Sequence, residues 1–318
     1  MTSYLPRAST LQPRDQAILD LLGEHQTLTT PQIAAVLFNA PKTASNRLYR
    51  LREHGWLECF QRTLGRRRLP AHWVLGALGE RWVAASRQEP VTGPRALARR
   101  MEKIAASAII LHDDGQRQVF IDLLRAARAS GAPPGPYDEP GGRVHMRLAR
   151  WWSPTHTASF FAQRIHPDGH GVWQEHHPGR DQAVQVSFFL EYDRGTESLS
   201  DLLAKMPAYG QLQQVGDSHV VLFWLESTAR ERHLYQRLTR AGLPPGLQVA
   251  TTASSLASAD PDGPAGRVWQ LVVPEPDLAA GPPAFRLRLG ELPPLTAAAG
   301  QSLGPPTPDE DPLRALLS

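Results

Sequence analysis

The chain has 318 residues, 41% hydrophobic and 20% charged, which is ordinary globular usage and excludes a disordered or fibrous protein. Its one cysteine, Cys59, excludes an intramolecular disulfide framework and a cysteine-ligated zinc cluster. The net charge of +3 conceals an asymmetry: residues 1–100 carry 15 Lys/Arg against 7 Asp/Glu, residues 101–252 carry 15 against 16, and residues 253–318 carry 4 against 8. The basic excess sits at one end, where it would draw a polyanion.

From about Pro13 to Glu24, residues Ile18, Leu21 and Leu22 follow helical spacing. Thr30-Pro31 supplies an N-cap and a proline at the first helical position, starting a second short helix with Ile33, Ala34 and Leu37 on its apolar face. A third helix is predicted from about Pro41 to His54, closed by Gly55. Its Ala44, Leu48 and Leu51 fall at i, i+4, i+7 and face the other helices, which turns Thr43, Asn46, Arg47 and Arg50 outward. Strand-like runs follow at 56–62 and 72–75, with the basic turn Gly65-Arg66-Arg67-Arg68 between them. Three helices and then a hairpin with a cationic tip is the order of a winged helix-turn-helix. In that reading the third helix enters a major groove of double-stranded DNA while Arg66, Arg67 and Arg68 touch the phosphate backbone. A winged helix used for protein contacts is the alternative. Arginine richness by itself decides nothing, since a GC-rich genome favours arginine codons.

Residues 95–130 read as a long helical region broken near Asp113-Asp114-Gly115. A Pro/Gly loop at 132–142 precedes strand candidates at 144–148, 171–174, 183–193 and 219–225, then a helix at 228–241 and a strand at 247–252. From about Ser254 the composition shifts: 12 of the 29 prolines lie in the last 66 residues. Edge strands are expected there at 268–273 and 285–289, with disorder after about 290.

The stretch Val186 to Glu197 carries the chemistry. Val186, Phe188, Leu190 and Tyr192 share one face of a strand, which places Glu191 and Asp193 together on the other. Two carboxylates at the end of a buried strand repel each other and resist desolvation, so a compensating cation is needed. One reading supplies Mg²⁺ (or Mn²⁺), held by Glu191, Asp193 and the upstream Asp168 of Pro167-Asp168. Downstream, Ser198 and Asp201 make a capping box, and Lys205 shares a helical face with Glu197 and Asp201, from which it reaches back to the strand ends. Metal-dependent phosphodiester hydrolysis uses such a set, the lysine stabilising developing charge. The other reading pairs the acids with Arg194 or another arginine. His166, His170, His176 and His177 are expected in a polar loop, because their spacings match no zinc pattern.

The run Leu51-Arg52-Glu53-His54-Gly55-Trp56-Leu57, the Pro167-Asp168 pair and above all Glu191-Tyr192-Asp193-Arg194-Gly195-Thr196-Glu197 resemble the replication-relaxation family, encoded largely on plasmids and integrative conjugative elements. The resemblance implies a DNA-associated role in replication, relaxation or mobilisation. It also implies that the second half is similar to the PD-(D/E)xK nucleases, with Asp168 and Glu191 as its acids. Position 193 departs from that pattern by holding Asp in place of lysine; Lys205 is the candidate substitute, though Pro207 threatens its helix.

The expected protein is α+β. It comprises a winged helix at 8–92, a restriction-endonuclease-like α/β domain at 96–255 and a disordered Pro-rich acidic tail at 256–318. The readings of function are a mobile-element DNA-binding protein with Mg²⁺-dependent nicking, or a non-enzymatic accessory factor or transcriptional regulator. Expected partners are double-stranded DNA, a relaxase or replication initiator, and a second copy in a homodimer. No run of about 18 apolar residues occurs and Met1-Thr2-Ser3-Tyr4-Leu5-Pro6 is no signal sequence, so the expected location is the cytoplasm, without a membrane partner.

Overall fold

The computed structural model describes residues 11–131, 144–180, 182–214, 219–273, 285–293 and 305–316. It divides into two compact units, Met1–Ile121 with Pro312–Ser318, and Asp122–Asp311.

The first unit begins with α1 (Pro13–His25), the two-residue β1 (Leu28–Thr29), α2 (Thr30–Leu37) and α3 (Pro41–Glu53). Thr29, one residue before the expected cap, closes the start of α2. Its hydroxyl accepts from the Gln32 N–H and the Gln32 side chain accepts from the Thr29 N–H. Gly55, at φ +79°, takes the left-handed conformation that ends α3. The hairpin β2 (Leu57–Leu64) and β3 (Arg67–Leu75) follows, and β1 adds to its far side in the order β1-β3-β2. The register pairs Leu64 with Arg67, leaving a two-residue turn in which Gly65 sits at φ +58°. Pro70, which has no N–H to give the ladder, lies where the register shifts; Gln61 Nε2 donates instead to the Leu69 carbonyl at 2.6 Å. Ile18, Leu22, Leu28, Leu48, Trp56 and Trp73 are fully buried between the helices and this sheet, each contributing roughly 2 kcal/mol.

Helices α4 (Ala77–Arg87), α5 (Pro94–Ala106) and α6 (Ile110–Ser130) follow. The break expected near Asp113-Asp114-Gly115 falls instead at residues 107–109. The Ser107 hydroxyl accepts from the Ile109 N–H there, and Asp114 stays helical with its carboxylate 2.9 Å from His72 Nε2.

The second unit is a six-stranded sheet in the order β4-β5-β6-β7-β8-β9: β4 (His145–Trp152), β5 (Gly169–His176), β6 (Val184–Asp193), β7 (Val220–Leu225), β8 (Gln248–Ala253) and β9 (Gln270–Leu271). The first three strands are antiparallel, β6, β7 and β8 run parallel, and β9 returns antiparallel. Parallel neighbours need crossovers. These are α8 (Leu199–Ala204) with α9 (Met206–Gln214), then α10 (Thr228–Ala241); a short α7 (Pro154–Phe160) lies between β4 and β5. Leu202, Met206, Tyr209, Leu234 and Leu238 cover the sheet face that carries Phe189, Val221, Phe223 and Val249. Val186, Phe188 and Leu190 are buried on the opposite face, which explains the unbroken apolar run of β7.

The range read as tail contains α11 (Ser254–Ala259), β9, an isolated bridge from Trp269 to Leu287, and buried Leu289, Leu292 and Ala315. Glu310 and Asp311 bond Arg150 and Arg147 of β4 at 2.8 and 2.7 Å. The stretches up to Asp311 are packed because their apolar and acidic residues find partners in the sheet, a property that a proline count does not reveal; Ala315 belongs to the first unit. Residues 294–304 lie outside the described residues.

Candidate functional site

On α3, Ala44, Leu48 and Leu51 are buried, and Lys42, Thr43, Asn46, Tyr49 and Arg50 are exposed. Arg66, Arg67 and Arg68 are exposed at the hairpin tip. The orientation expected for Arg47 is corrected. Its guanidinium turns toward α1 and grips the fully buried Asp15, with Nε donating to Oδ1 at 2.8 Å and Nη2 bonded to Oδ2. A carboxylate without solvent needs a charged partner, and the bidentate geometry of arginine supplies it. Lys42 and Tyr49 belong to the exposed face although the helical pattern did not single them out; their places one position before Thr43 and one before Arg50 held the signal.

In the second unit, Asp168 directly precedes β5. Its N–H donates to the Leu190 carbonyl at 2.8 Å and its carboxylate accepts the Tyr192 N–H at 2.7 Å, so it lies beside Glu191 on the neighbouring strand. Glu191 is 2% exposed. Lys205 Nζ donates to its Oε2 at 2.8 Å and lies 3.2 Å from Glu197; the Tyr209 hydroxyl donates to its Oε1. Pro207 does end the first helix early: Lys205 caps α8, and Pro207 occupies the first turn of α9. The two helices together bring Lys205 and Tyr209 onto the one carboxylate. Burial pushes the Glu191 carboxyl up to about 7 despite Lys205, and the charge of Asp168 adds to the rise. Burial likewise raises the Tyr209 hydroxyl, followed by the charge of Glu191.

Asp193 is gripped by Arg230 of α10 through Nε and, at 3.0 Å, Nη2; Arg230 also donates to the Glu197 carbonyl. The sequence pairs these acids with Arg194 or another arginine; the arginine on Asp193 is Arg230. Tyr209 and Arg230 stand 18 and 37 residues from their acids and carry no local signal.

A divalent cation would need Asp168, Glu191 and Asp193 as shared ligands. Both oxygens of Glu191 and both of Asp193 already accept from cations or a phenol of the chain. Among the described residues, no three His, Cys, Asp or Glu side chains converge as a metal group. The donor set therefore does not fit a metal as it stands.

The histidines expected in a polar loop divide. His170 lies in β5, fully buried, with Nε2 2.9 Å from Ser187 Oγ, which in turn is 2.7 Å from His219 Nδ1. His176 ends the same strand and His177 follows it. The apolar strands on either side of β5 make His170 a core residue. Burial, followed by the charge of Arg150, holds His219 down to about 3; burial also lowers His170 well below its ordinary value.

Fold and site together define an α+β protein with an exposed cationic helix and hairpin in one unit and a mixed sheet with internally neutralised carboxylates in the other. A family model described as replication-relaxation matches residues 19–220, more than half of the chain, and the chain belongs to the replication-relaxation family. No curated protein matches it. Among the described residues, no helix is long and apolar enough to cross a membrane.

Proposed function

We propose that the protein binds double-stranded DNA of a plasmid or integrative conjugative element and acts in its replication, relaxation or mobilisation. The carrying observation is the outer surface of residues 41–68: Lys42, Thr43, Asn46 and Arg50 are exposed on α3, and Arg66–Arg68 are exposed at the hairpin tip. In this reading residues 8–92 are a winged helix, α3 is its recognition helix and the hairpin is its wing. The family membership supports the assignment to replication and relaxation.

The sheet of the second unit is read as nuclease-like, with Pro167-Asp168 at the start of the second strand and Glu191 near the end of the third. A non-cutting role is favoured for it by Lys205 and Tyr209 on Glu191 and by Arg230 on Asp193. Such a unit would serve a relaxase, a replication initiator or a second copy as a docking body. The expectation of Mg²⁺-dependent nicking is tested by incubating supercoiled plasmid with Mg²⁺ or Mn²⁺ and wild type or the Asp168→Ala/Glu191→Ala double variant. Equal, background conversion to open circles is expected; nicking by wild type alone would establish the enzyme. DNA binding is tested separately by fluorescence anisotropy across a salt series. Changing Arg66, Arg67 and Arg68 to Ala is expected to weaken binding and flatten the salt slope. An unchanged slope would remove the hairpin from the interface.

A further inference from the structure

Helix α5 (Pro94–Ala106) is the most amphipathic cationic element of the described first unit, yet none of its residues is buried. It rests on the body of the unit by one side only. Leu97, Met101 and Ile104, with Leu22, Val74 and Val83, line a cavity of about 140 Å³, and Arg100 pairs with Glu80 of α4. A helix docked over a void contributes little to the core. Its opposite side presents Arg95, Arg99 and Lys103 at i, i+4, i+8, all exposed, with the exposed acid Glu102 flanking them. None of the ion pairs between described residues engages these three cations. The C-terminal end of the helix is tied to the hairpin, since Arg62 Nη1 of β2 donates to the carbonyl of its cap residue Ser107 at 2.6 Å.

We infer that Arg95, Arg99 and Lys103 form a second phosphate-contact stripe that extends the DNA interface beyond the Arg66–Arg68 hairpin. The inference rests on the DNA-binding reading above. Eight residues of helix span about 12 Å. One strand of duplex DNA carries one phosphate charge per about 3.4 Å of helix axis, so a stripe of this length passes more than one phosphate of the backbone. Three cations at four-residue spacing suit a backbone contact, which needs charge and pitch; base readout needs the paired donors and acceptors of Asn or Gln. The apolar side fixes the rotation of the helix so that the cations face out.

The test is a salt titration of binding to a 30-base-pair duplex by the full chain, comparing wild type, the Arg95→Ala/Arg99→Ala/Lys103→Ala variant, an Arg95→Lys/Arg99→Lys variant and the Arg66–Arg68→Ala variant. The alanine stripe variant is expected to lower the magnitude of the log–log salt slope by about 2–3, and the lysine variant to keep the wild-type slope. An alanine stripe variant that matches wild type while the hairpin variant loses slope overturns the stripe and leaves the DNA-binding reading standing. Wild type that binds no duplex at any salt concentration overturns both. Thermal unfolding of the same samples, with all variants expected at the wild-type midpoint, separates lost contacts from lost fold.

Discussion

The two units handle charge in opposite ways. In the first, the cations of the hairpin tip and of the outer face of α3 stand in solvent, with Arg47 as the exception that turns inward to Asp15. In the second, Arg150 of β4 and the acids of β6 are sealed: Arg150 is 2% exposed and bonded to Glu310, Glu191 meets Lys205 and Tyr209, and Asp193 meets Arg230. One residue type therefore does two jobs. An exposed arginine adds little stability and is available to a partner, whereas a buried one is committed to its acid, and removing either member strands a charge.

Breaking the sealed pairs should give the largest effects. Arg47→Ala is expected to cost about 3 kcal/mol, because the buried Asp15 would lose its guanidinium partner and keep the Gln12 N–H at 2.8 Å; chemical denaturation measures it. Arg150→Ala should cost a similar amount, about 3 kcal/mol, by releasing Glu310 and removing the guanidinium that lies 4.6 Å over Trp152. A loss below about 1 kcal/mol in either variant would collapse the contrast between the units.

Acid provides the next test, and its sign follows from His219. Its folded pKa of about 3 lies below the ordinary 6.5, so the unfolded chain takes up the proton first. Stability is present in full above about 6.5 and is lost as pH falls toward 3. By pH 5 the loss from this group is about 2 kcal/mol. His219→Asn should flatten the decline of the melting temperature between pH 7 and pH 5; a parallel decline would remove His219 as its source.

The smallest expected stability effect is at the hairpin. Changing Arg66, Arg67 and Arg68 to Ala should leave stability within about 0.5 kcal/mol of wild type while weakening duplex binding about tenfold or more at 0.15 M salt. Arg50→Ala sharpens the comparison, since it lies one helical turn from Arg47 and should alter binding with no loss of fold.

Much of the first unit was legible because its signals are local. Pro13, Pro31 and Pro41 mark helix starts, Ala44, Leu48 and Leu51 repeat at helical spacing, and Gly65 marks the turn. The inward turn of Arg47 has no local signal: its position on the outer side of a helical wheel says nothing of a buried acid on another helix. His170 differs from its sequence pattern because a histidine between glycines and after a proline reads as loop, while the ladder to Phe189 makes it core. In the second unit the Glu191 and Asp193 pair announced the need for a cation, and Lys205 was within reach of a local argument through its helical face. Tyr209 and Arg230 were not, because their helices are folded onto β6 by the crossovers.

The family, the cationic first unit, the acids at 168, 191 and 193 and most of the helices are legible along the chain, since composition and periodicity act over a few turns. Which charges face solvent and which are neutralised is set by the folding of distant segments onto one another. That choice depends on the partner each carboxylate meets across the fold, and desolvation makes a buried charge tolerable only where such a partner arrives.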